Sequence, residues 1–64
     1  MRLLKIQLDN DNTIIIESNK TIIEAKNIDE LSHHFNSKTI KKIINVITRI
    51  KKDSLYNVIF SIRY

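Results

Sequence analysis

Histidine is the residue type best suited to acid–base chemistry near neutral pH, and this chain has two, His33 and His34, side by side. If the surrounding segment is helical, Asp29 lies one turn before His33, close enough to orient its imidazole as a ribonuclease-type general base requires. Adjacent residues on a helix point about 100° apart, however, so two neighbouring rings do not act on one substrate atom. No glycine-rich loop or second acid stands nearby. Helical histidine ligands also need i, i+4 spacing, which this pair lacks.

Asp9 and Asp11 have the spacing that opens a calcium loop, yet the sixth position is Ile14 where glycine is needed and the twelfth is Lys20 where glutamate is needed. Turn formation by short polar side chains accounts for Asp9-Asn10-Asp11-Asn12 without any ion. Asn19-Lys20-Thr21 matches a glycosylation sequon by chance. The chain is therefore expected to be non-enzymatic, with no catalytic residue, no metal, no cofactor and no small-molecule substrate.

The remaining chemistry is electrostatic. Between Ser37 and Lys52 the apolar residues Ile40, Ile43, Ile44, Ile47 and Ile50 recur at helical spacing, while Lys38, Lys41, Lys42, Asn45, Arg49 and Lys52 fall on the opposite side. Residues 1–30 carry four basic and six acidic side chains (net −2), and residues 31–64 carry seven basic and one acidic (net +6), giving the overall +4. No acidic residue occurs from Leu31 to Lys52. Fourteen isoleucines with frequent Asn and Lys suit an AT-rich coding sequence. Such bias explains lysine content but not its gathering, and charge asymmetry between halves points to nucleic acid or membranes.

The basic stripe suits phosphate contacts in a nucleic acid or a nucleic-acid-associated complex, with affinity falling as salt rises. It holds one arginine and no interleaved aromatic, so sequence-specific readout is not expected. An acidic protein surface is the other partner class the stripe fits. A membrane surface is not, because the helix's apolar face is all isoleucine and the core needs it. A solvated lysine face that keeps a small domain soluble competes with both. The expected function is a small basic binding module; the alternative is an inhibitor or adaptor of the phage or mobile-element type, docking on a host protein through its sheet face or an edge strand.

These residues must be positioned by one domain spanning residues 1–64, because a chain of this length buries only about 60% of its unfolded surface and forms a thin core. It lacks cysteine, glycine and proline, so no disulfide staples it and every turn falls to Asn, Asp, Ser or Lys. No segment reaches the 18 or so apolar residues of a membrane span, and the N-terminus alternates rather than forming a signal-type apolar run, so a cytoplasmic location is expected.

Leu4, Ile6 and Leu8 alternate with polar residues, and after Asp9–Asn12 a β-branched run from Thr13 to Glu17 completes a hairpin. Ser18-Asn19-Lys20 is a second turn, and Thr21–Ala25 a short third strand. Asn27 with Glu30 three residues on is a capping box that starts a helix at Ile28, and Ser37 is placed to cap the basic helix. From Leu55 to Tyr64 the period becomes two, with Tyr56, Val58, Phe60, Ile62 and Tyr64 on one side; three of the chain's four aromatics lie on that face, which argues for a central strand.

The expected fold class is α+β, a small two-layer domain with an antiparallel sheet of three to four strands and one or two helices on one face. Its core comprises Leu4, Ile6, Leu8, Ile14, Ile16, Leu31, Phe35, Ile40, Ile43, Ile44, Ile47, Ile50, Val58, Phe60 and Ile62. Leu3, Ile15, Leu55 and Ile59 are left on the sheet's other face as a candidate protein interface, including that of a homodimer.

Overall fold

The computed structural model describes residues 3–63. Strands β1 (Leu3–Leu8), β2 (Ile14–Ser18) and β3 (Thr21–Ala25) form a meander, followed by a single-turn helix α1 (Ile28–Leu31), the long helix α2 (Ser37–Asp53) and strand β4 (Phe60–Arg63). The four strands make one antiparallel sheet in the order β3-β2-β1-β4, with the helices on one face. This is the two-layer α+β architecture the alternating and helical patterns imply.

The turns explain why the meander closes without glycine. In the first, the Asp9 carboxylate accepts from the backbone N–H groups of Asp11 and Thr13, both at 2.9 Å, and Asn12 takes the left-handed conformation at φ 64°. In the second, Ser18 pairs with Thr21 across Asn19-Lys20, with Asn19 at φ 53°. Asn57 (φ 66°) and Ser54 (φ 54°) are the other two left-handed positions among the described residues. Three of the four are asparagine, the residue that best tolerates this region after glycine.

Asn27 caps α1 as its spacing implies, accepting from the Glu30 N–H at 3.1 Å. The Glu30 carboxylate returns to the N–H of Lys26 at 2.6 Å, one residue before the usual capping-box position. α1 then ends: Ser32 is its C-cap, and the chain turns through residues 32–35 before α2. The N-cap of α2 is Asn36, not Ser37; its side chain accepts from Thr39 N–H at 2.9 Å, and Ser37 is already helical.

The core is one cluster: Leu4, Ile6, Leu8, Ile14, Ile16, Ala25, Leu31, Ile43, Ile47 and Ile50 are buried, and Ile23, Ile28, Phe35, Ile40, Val46, Leu55, Tyr56, Phe60 and Ile62 pack against it half-buried. Two expected core members lie outside it, Ile44 (37% exposed) and Val58 (43% exposed). α2 buries Thr39 along with Ile43, Ile47 and Ile50, which rotates its buried stripe by about 40° from the one centred on the isoleucines alone, at 100° per residue. Ile44 is thereby carried to the flank.

The C-terminal segment departs furthest from its alternating pattern. β4 is shorter than that pattern and lies at the sheet edge, paired only with β1. α2 is about 25 Å long at 1.5 Å per residue, enough to carry the chain from the β3 edge across the sheet to the free edge of β1. Residues 55–59 are irregular. Ser54 ends α2 in the left-handed conformation while both its N–H and that of Leu55 (2.9 Å) bond to Ile50 O. This is a Schellman-type stop, whose following residue folds back to make an apolar contact with the last turn. Leu55 is accordingly packed against the core, not on the outer sheet face. Asn57 ties the loop down, its N–H donating to Leu8 O at 3.0 Å and its side-chain amide to Asn10 Oδ1 at 2.9 Å. Of the three aromatics expected on the strand's inner face, Phe60 lies there, Tyr56 packs from the loop, and Tyr64 lies outside the described residues.

Ser54 marks a position where the chain bears a left-handed penalty that glycine would avoid. The variant Ser54→Gly is expected to gain about 0.5–1 kcal/mol, the αL relief being partly offset by a freer unfolded chain. Urea denaturation measures this, and Ser54→Val should move stability the other way.

Candidate functional site

α2 supplies the site because its buried stripe dictates where its charges go. With Thr39, Ile43, Ile47 and Ile50 against the sheet, the outward side carries Lys38, Lys41, Lys42, Asn45, Arg49 and Lys52, all exposed. At 100° per residue these six fall within an arc of about 100°. Lys41 and Lys52 point most directly away from the sheet. Lys42 and Arg49 lie on the flank, where the Lys42 Nζ donates to Arg63 O at 3.3 Å. Arg49 pairs with Asp53 one turn later at 3.9 Å, through side chains 73% and 48% exposed. Such a solvated pair is weak and leaves the guanidinium available.

The helix gains little from this arrangement. Its first turn carries no acidic residue, and Lys38 stands there beside the positive end of the helix dipole. Lys38 also faces Lys41 and Lys42 at i+3 and i+4, where like charges repel. Lys51 and Lys52, in the last turn, are favourably placed. The N-terminal lysines are thus held against local electrostatic preference.

The second candidate surface is the outer face of the sheet. Leu3 and Ile59 are exposed there, at 48% and 60%, and Ile15 is partly covered; Leu55 is absent from it, for the reason given above. Ile22, 62% exposed on β3, joins them. The pairing of Ile22 with Glu17 puts it outward, a placement that follows only once the register across Asn19-Lys20 is fixed. Lys5 and Glu17 face each other across β1 and β2 with an ion pair of 3.6 Å. Ile15, Ile22 and Ile59, together with Lys5, Gln7 and Glu17, line a shallow groove of about 210 Å³.

The histidines are not brought into any cluster. Both are exposed in the turn after α1, and His34 makes an edge contact with Phe35 at 6.5 Å between ring centroids. The Asp29 backbone carbonyl accepts from the N–H and hydroxyl of Ser32. Among the described residues, no three His, Asp or Glu side chains come together as a metal site, and no helix is long and apolar enough to cross a membrane. Comparison with protein-family models, curated proteins and solved structures returns no match, so the functional argument rests on these residues.

Replacing Lys38 by glutamate reverses a charge at the second position of α2 and creates attractive i, i+3 and i, i+4 pairs with Lys41 and Lys42. Lys38→Glu is expected to raise stability by about 0.3–1 kcal/mol at low ionic strength, and by less in high salt. Paired denaturation curves at the two salt concentrations measure it.

Proposed function

We propose that this chain is a non-enzymatic nucleic-acid-binding module that grips the phosphate backbone through the outward face of α2. The observation that carries this reading is the crowding of Lys38, Lys41 and Lys42 at the positive end of the helix. Solubility requires only that lysines be exposed, and helix stability favours having them elsewhere. A partner bearing regularly spaced negative charge gives the crowding a use. Lys38 to Lys52 spans about 21 Å of helix axis, long enough to cross a duplex groove and meet phosphates on both sides.

The composition of the face favours backbone contact over base reading. Arg49 is the one arginine of the stripe, Asn45 its one uncharged amide, and the aromatics Phe35, Tyr56 and Phe60 pack against the core instead. Stacking on unpaired bases therefore has no platform on this face, and duplexes are the better fit. An acidic protein surface satisfies the same charges less well, because regular phosphate spacing matches a regular helical stripe whereas scattered carboxylates do not.

Binding of the chain to random-sequence duplex DNA, duplex RNA and single strands, followed across a salt titration, tests this. The expected slope of log K against log salt on duplex DNA is about −3 to −4, corresponding to four or so phosphates neutralised. The double variant Lys41→Glu, Lys42→Glu should lose at least about tenfold in affinity and flatten the slope by about two. Absence of binding to every nucleic acid at low salt overturns the proposal.

A further inference from the structure

The helices cover one face of the sheet and leave the other open, and that open face is patterned in a way that a solvated surface does not require. Its charges are divided by strand: Lys5 and Arg63 stand on β1 and β4, and Glu17 and Glu24 on β2 and β3. Its apolar side chains supply both projections and a recess, with Ile22 and Ile59 the most exposed large hydrophobics of the described residues and with Ile15, Ile22 and Ile59 lining the groove. The pair Lys5 and Glu17 is self-complementary under a two-fold rotation about an axis that lies above this face, over the line between β1 and β2 and parallel to them. Because Lys5 and Glu17 are direct cross-strand partners, that rotation sets Lys5 of each copy over Glu17 of its mate, whereas Arg63 and Glu24 stand at different levels of the ladder and are left at the rim.

We infer that this face is an isologous self-association surface, occupied by the same face of a second copy of this chain. Two antiparallel sheets stacked face to face about 10 Å apart are a standard packing, and a two-fold axis between them is the commonest symmetry of small oligomers. The same rotation carries Ile22, which stands beside Glu17 on β3, over Ser61 on β4 of its mate, so that this exposed isoleucine is covered in the dimer. The face is small and half polar, so its interface falls at the low end of specific associations, below about 1,200 Å² in total, and the dimer dissociates on dilution. The assembly has four layers, helix, sheet, sheet, helix, with the two α2 lysine faces turned outward on opposite sides. It would therefore bridge two nucleic-acid segments; this consequence, unlike the dimer itself, rests on the proposed function of α2.

Sedimentation equilibrium of the full chain without nucleic acid, from about 10 µM to about 1 mM, is the test. A reversible monomer–dimer equilibrium within that range is expected. Ile59→Lys, outside any regular element, and Ile22→Asp should each weaken it by about tenfold or more, with circular dichroism confirming the fold. Lys5→Glu and Glu17→Lys should each weaken dimerisation, and the double exchange Lys5→Glu, Glu17→Lys should restore it. A chain that stays monomeric at the highest concentration overturns the inference. So does a dimer indifferent to both isoleucine variants, which would place the contact at an edge strand or on α2. Since no nucleic acid is present, failure here leaves the salt titration's outcome untouched, and bridging is read separately as duplex condensation that Ile59→Lys abolishes while single-duplex binding persists.

Discussion

The rotation of α2 about its own axis governs the rest of the molecule. It is set by which residues the sheet buries: Ile43 and Ile50 are fully enclosed, Ile47 and Thr39 nearly so, against a sheet face whose Leu4, Ile6 and Ile16 are also fully enclosed. Burying one isoleucine contributes about 1.5–3 kcal/mol. Turning the helix far enough to expose two of them would also push lysines toward the sheet, where an unpaired charge is tolerated even less. The lysine face is thus held outward by the isoleucines beneath it. The same rotation swings Lys42 toward the carbonyl of Arg63 and displaces Ile44 to the flank.

A second constraint is the absence of glycine. Left-handed backbone costs about 1–2 kcal/mol in a residue with a β-carbon, so each of the four such positions needs support from its surroundings. Ser54 is held by the Schellman hydrogen bonds to Ile50 O and by the burial of Leu55 that follows from them. Asn57 is held by its backbone bond to Leu8 O and its amide contact with Asn10. The Asn57 bonds join the irregular segment before β4 to the end of β1 and the first turn, so the edge strand is anchored at its start as well as by its ladder with β1.

Much of this was legible in the residues, and the failures have physical causes. The meander follows from β-branched runs separated by Asn and Asp clusters, and α1 from the Asn27 cap. The segment from Leu55 to Tyr64 misleads because its apolar residues alternate across a stretch whose backbone reverses hand at Ser54 and again at Asn57. Glycine at either place would have flagged the reversal; serine and asparagine pass as ordinary polar strand residues. Thr39 was invisible as a buried residue because its polarity hides it, and without it the helix face is misaligned toward Ile44. The lysine stripe survived that misalignment because a 40° shift is small beside the width of the polar side. The exposure of Ile22 is hidden for a different reason: the outward or inward sense of a strand residue depends on register, and a change of one residue in the Asn19-Lys20 turn reverses it.

The helices lie on one side of the sheet, and the two patterned surfaces of the described residues lie on opposite sides. The smallest dimension of its Cα framework is 20 Å, which is on the order of two Debye lengths at physiological salt. Glu17 and Glu24 on the open sheet face therefore subtract little from the field around the α2 lysines, although the chain's formal charge of +4 includes them. Conversely, the lysines add little to the potential at the far face. Net charge describes this protein poorly: its distribution gathers lysines along the outward face of α2 and divides the open sheet face between signs. The segregation arises from ordinary local requirements, since a helix lying on a sheet must send its polar residues outward, and an edge-to-edge alternation of strands allows Lys5 to face Glu17.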